Sequence, residues 1–152
     1  MIETETGRFT VGVFQDVAWA EKGIAALKRA GFPLESLTIV AKESADAGAL
    51  IERVFGSGGE RLELAVVGAV LTRGPLVDAL GGTARDLPKL GLAATMRRVG
   101  FQAHDGRIFE TLTGRGGVLV AIKGEPRAAD ALAILHSYGG GNAAIGAWTG
   151  RL

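Results

Sequence analysis

Short runs rich in valine, leucine and isoleucine alternate along this chain with longer stretches whose apolar positions recur every three or four residues, the rhythm of strands joined by amphipathic helices. Residues 9–14 hold valine and phenylalanine between polar neighbours and predict a strand. Asp16 then offers a side-chain oxygen to cap a helix on which Val17, Ala20, Ile24 and Leu27 share one face, while Glu21, Lys22, Lys28 and Arg29 mostly turn away. Gly31 stops this helix, Pro33 keeps it stopped, and residues 37–41 predict a second strand after a short loop.

Shifted by 108 positions, the chain matches itself. Val11, Phe14, Ala20, Ile24, Leu27, Gly31, Leu37 and Val40 fall on Leu119, Ile122, Ala128, Leu132, Leu135, Gly139, Ile145 and Trp148 without a gap. The second copy opens on a near-continuous apolar strand at residues 117–123, which must be covered on at least one face. Pro126 suits a first helical turn, and Ala128, Ala131, Leu132 and Leu135 form the stripe to be buried. Gly139 closes the helix. Gly140, Gly141 and Asn142 then turn the chain into a last strand of small residues at 143–148, tipped by Trp148.

Between the copies, Ser44 caps a helix carrying Leu50, Ile51, Val54 and Phe55, which Gly56 and the following glycines break. At residues 62–71 strand and buried helix compete, with the valines and Gly68 favouring strand. Helices are expected at 76–80, 87–99 and 103–113, the last burying Ile108, Phe109 and Leu112. The whole predicts one α+β domain: two duplicated βαβ units, residues 7–41 and 114–150, in a ferredoxin-like, mainly antiparallel four-stranded sheet with helices on one face. Residues 42–113 form a mostly helical insertion that can add a strand to the sheet. The other face of such a sheet must be covered by the insertion or by a second subunit. The small residues near Gly139 to Gly146 point to a homodimer.

Composition narrows the classes. With 17 basic and 16 acidic residues among 152, the net charge is +1, so no global field draws the chain to nucleic acid or to an anionic membrane. No cysteine is present, which removes disulfides, thiolate nucleophiles and Cys-ligated metals and fits a reducing, cytoplasmic setting. Residues 1–8 lack the basic start and apolar run of a targeting peptide, and the longest nearly uncharged stretch, 64–72, is far short of the roughly 20 residues a membrane helix needs.

Chemistry is sparse. His136 sits near a helix end, where a cation favours the dipole. His104 and Asp105, with Arg107 and Glu110 close by, form the densest polar cluster; an imidazole beside carboxylates can do acid-base work, and the competing reading is a solvated helix start. Two histidines without metal-ligand spacing make no metal set, and no cofactor is expected. The glycine cluster at 56–59 lacks the Gly-Lys-Ser/Thr ending of a phosphate loop. The one at 114–117 precedes a strand instead of opening a helix, although Arg115 beside free amides can hold an anion. Aromatics are not interleaved with the basic residues, which argues against base stacking. Trp19 and Trp148 fit either a partner contact or a core edge.

Several of these residues form a familiar pattern. Residues 11–14 (Val-Gly-Val-Phe), Ala20-Glu21, Ala30-Gly31-Phe32-Pro33, residues 37–41, Gly74-Pro75-Leu76 and residues 114–122, followed by Ala128, Ala131, Leu132, Leu135 and Gly139, resemble the bacterial general stress protein 17M-like, or heat-induced stress protein, domain. The resemblance covers most of Gly7 to Trp148. It implies an association with stress responses and brings no agreed reaction, cofactor or catalytic residue. The chain departs from the pattern where relatives carry a long Gly/Ala-rich apolar insert, since Gly56 to Leu80 is short and charged. The expectation is therefore a soluble, non-enzymatic module acting by protein contact or self-association. The alternative is a small-ligand protein, for an anionic metabolite or nucleotide, using His104, Arg107 and Arg115 between insertion and sheet.

Overall fold

The computed structural model describes residues 9–56, 58–81, 87–123, 128–138 and 144–146. Six strands, β1 (Phe9–Phe14), β2 (Leu37–Lys42), β3 (Glu60–Leu64), β4 (Gly68–Arg73), β5 (Val118–Lys123) and β6 (Ala144–Gly146), form one sheet in the order β3-β4-β2-β5-β1-β6. Every pairing is antiparallel. Strands β1 and β2 both run against β5, so they are parallel to each other with β5 between them. Helix α1 (Val17–Arg29) makes the crossover between the two. In the same way β5 and β6 flank β1, and α7 (Ala128–Ser137) joins them. Each βαβ unit thus lends one strand to the gap in the other, which is the spatial meaning of the repeat at 108.

Alternation sorts the strand side chains onto two apolar layers. Phe14, Leu37, Ile39, Ala41, Val118, Val120 and Ile122 pack under α1, α7 and α2 (Ala45–Phe55). Phe9, Val11, Val13, Val40, Leu119 and Ala121 face the opposite way, into α3 (Pro75–Gly81), α4 (Leu87–Leu90), α5 (Leu92–Thr95) and α6 (Ala103–Gly114). Helices therefore lie on both faces rather than on one. The reason is in β5, where five successive apolar residues are buried, a pattern that needs cover above and below. The insertion supplies that second cover, so the open apolar face that argued for a second subunit is filled from within the chain.

Two further expectations are corrected. The insertion adds two strands where one was expected: residues 62–71 reverse at 65–67, and the hairpin β3-β4 extends the sheet beyond β2. The single helix expected at 87–99 is broken, because Gly91 sits at φ 90, outside helical geometry, and separates α4 from α5, which a 3-10 turn at Met96–Val99 then follows. The predicted caps are present, with Asp16 Oδ1 accepting the Trp19 backbone N–H at 2.9 Å and Ser44 Oγ accepting that of Ala47 at 3.0 Å. Trp148, Pro126 and the turn at 139–142 lie outside the described residues. Among the described residues no helix is long and apolar enough to cross a membrane.

Candidate functional site

Helix α6 carries the polar cluster, and its own periodicity disperses it. Gly106, Phe109 and Thr113 are the buried positions, which leaves His104 and Arg107 exposed on the outward side. Phe109 anchors the helix, fully buried, its ring 5.4 Å from that of Phe101 in an edge-to-face arrangement at 86°. Arg115 is also exposed and follows the helix, its backbone N–H donating to the carbonyls of Thr111 and Leu112 at 3.1 and 3.2 Å. Arg115 lies eleven positions after His104, about 16 Å along a helix axis. His104 and Arg107, three positions apart, share a side of the helix, and all three residues are exposed rather than buried at the interface between insertion and sheet. That interface is closed by Leu76, Leu80, Leu87, Leu92, Met96 and Phe109, all buried.

Glu110 has a structural task. Its Oε2 accepts the Ala93 N–H at 3.2 Å, supplying at the start of α5 the oxygen that Gly91 cannot. Glu110→Ala is expected to cost about 1 kcal/mol of stability. His104→Ala, Arg107→Ala and Arg115→Ala should each stay within about 0.5 kcal/mol of the parent chain. Thermal unfolding of the four variants checks this ranking, and a larger loss at His104 than at Glu110 contradicts it. Among the described residues no group of three or more His, Asp or Glu side chains is placed to hold a metal ion. Trp19 is 38% exposed on α1, with the Lys22 ammonium 4.6 Å from its ring centroid.

The least expected surface is the hairpin end of the sheet. At the tip of β3-β4, Val66 is 85% exposed and holds φ 77, the only non-glycine residue at positive φ among those described. The Val67 N–H donates to the Ala65 carbonyl at 2.9 Å, closing a three-residue γ-turn around Val66. The Ala65 N–H in turn donates to the Pro88 carbonyl at 3.0 Å, tying the tip to α4, where Leu90 is half exposed. Along β3, Arg61 Nε donates to Glu43 Oε1 at 2.9 Å and Arg61 Nη2 to Glu63 Oε1 at 3.3 Å. The hydrogen bond to Glu43 and the attraction of both carboxylates raise the Arg61 pKa above its ordinary value. Periodicity gave no warning of this surface, since Ala65, Val66 and Val67 are not turn formers and Gly68 is the only marker of the reversal.

Comparison with known proteins finds no family model, no curated relative and no solved structure that matches the chain.

Proposed function

We propose that the chain is a protein-contact module without a reaction of its own, in keeping with the stress-associated family it resembles. Self-association at the hairpin end is the contact favoured here. We read β2, β5, β1 and β6 as a ferredoxin-like core, with β3-β4 as the appendage that carries the contact surface. The observation that carries the reading is Val66. A β-branched residue in the left-handed region stores about 1–3 kcal/mol of strain. Nothing in the interior demands it, because 85% of the residue is exposed and glycine would make the same turn more cheaply. A strained, exposed valine at a tip that is tied to the helix of a half-exposed leucine is accounted for if its apolar side chain is used.

Val66→Gly tests this through opposite effects on two readouts. Relief of strain, less the backbone entropy that glycine loses on folding, should stabilise the fold by about 1 kcal/mol, raising Tm by about 3 °C. Sedimentation velocity should show weaker self-association of the same variant. A stabilised Val66→Gly chain that associates like the parent contradicts the reading.

A further inference from the structure

The outermost strand of the hairpin end has a property that its charges alone do not announce. Antiparallel neighbours exchange hydrogen bonds at alternate pairs, so each residue of an edge strand points its backbone N–H and C=O either inward or outward. The Glu43 N–H donates to the Ala69 carbonyl at 3.0 Å, which turns the odd-numbered residues of β4 toward β2 and leaves its even-numbered residues to bond β3. The β3-β4 register pairs Glu60 with Thr72, Leu62 with Val70 and Leu64 with Gly68. Those three residues of β3 therefore bond inward. The backbone groups of Arg61 and Glu63 point out of the sheet edge, where no described strand lies.

We propose that β3 pairs antiparallel with β3 of a second copy of this chain about a two-fold axis through Leu62, joining the two sheets into one. This rests on the reading of the hairpin end as a self-association surface and assigns its geometry. In that register Arg61 stands opposite Glu63 of the second copy, and Glu63 opposite its Arg61. Both pairs place outward-pointing backbone groups against each other, so four interchain N–H···O=C bonds form together with two opposite-charge cross-strand pairs. Neighbouring registers are disfavoured. A slip of two residues sets Arg61 against Arg61 or Glu63 against Glu63, and a slip of one sets outward-pointing groups against residues already bonded to β4. Charges on an edge strand ordinarily discourage pairing. Here the order Arg61-Leu62-Glu63 is self-complementary, so the same charges select one partner and one register. On the other face of β3, Leu62 is partly buried against the insertion core, and the axis brings the two copies of Leu62 side by side.

The test is a charge exchange read by sedimentation equilibrium on the full-length chain. The parent should dimerise, and Arg61→Glu and Glu63→Arg should each weaken the dimer at least about tenfold, since each turns both cross-strand pairs repulsive. Mixed one to one, the two variants should recover the parent affinity, because the two carboxylates that one chain then carries on this edge meet the two guanidinium groups of the other. Recovery on mixing also shows that neither variant is misfolded. Failure of the mixture to recover overturns the pairing. If parent and variants dimerise equally, the pairing is overturned while self-association through another surface stands. A parent chain that stays monomeric at about 100 µM overturns both.

Discussion

Gly74→Ala should lower stability by at least about 4 kcal/mol, a loss confined to a few severe mechanisms, overpacking of backbone against backbone among them. Gly74 follows β4 at the point where the chain leaves the sheet and crosses to the insertion side. An added Cβ would lie 2.3 Å from the Leu37 carbonyl oxygen and 2.5 Å from Thr38 Cα, both backbone atoms of β2 that cannot move without disturbing the sheet. The residue is also at φ 125, which an L side chain rarely adopts. What this close approach secures is the next step of the chain: the Leu76 N–H donates to Thr38 Oγ1 at 3.0 Å inside the protein, and Leu76 is fully buried at the start of α3. The Gly-Pro-Leu motif is thus the joint by which the insertion turns onto the second face of the sheet. A Tm lower by about 10 °C or more is expected. Gly116→Ala is the control, since Gly116 has φ 102 with nothing within 4 Å of a Cβ and loses only about 1–2 kcal/mol for its backbone conformation. Equal losses in chemical denaturation for the two variants would contradict the close packing at Gly74.

Phe109→Ala should cost about 3–5 kcal/mol, the range for removing a fully buried aromatic ring. Phe109 is the contact through which α6 reaches the core between insertion and sheet, and its edge-to-face partner Phe101 loses its neighbour as well. Phe109→Leu, which leaves most of the volume filled, should lose less than half as much. The comparison isolates the insertion's grip on the sheet, because both substitutions leave the polar side of α6 untouched. A loss below about 1 kcal/mol for Phe109→Ala in urea unfolding would mean that the insertion is not docked as described.

These two positions also mark what could be read from the residues alone. The βαβ units were legible because β1 and β5 are short apolar runs buried at almost every position, because the buried residues of α1 recur every third or fourth position, and because Asp16 and Ser44 cap their helices by local bonds. The second covered face was implicit in the unbroken apolar run of β5, yet that run fits cover by a partner as readily as cover by the insertion. The break at Gly91 and the turn at Val66 were not legible. Each depends on contacts distant in sequence, Glu110 with Ala93 in the first case and Ala65 with Pro88 in the second. The candidate site looks denser in the sequence than in the fold for a simpler reason. Residues clustered from His104 to Arg115 along the chain are spread by the helix over its length, and the carboxylate nearest the cluster's centre, Glu110, is engaged in holding α5. The edge at Arg61 and Glu63 required the register of β4 against β2, which no pattern within β3 encodes.

The most direct measurement of the central claim, that the chain works by self-contact at the hairpin end, is residue-resolved amide hydrogen exchange of β3 at rising protein concentration. The Leu62 N–H is bonded inward and should be protected throughout, whereas those of Arg61 and Glu63 should exchange rapidly in dilute solution and become protected as chains associate. Fast exchange at Arg61 and Glu63 at every concentration, in a chain that sedimentation shows to be associated, would contradict pairing at β3.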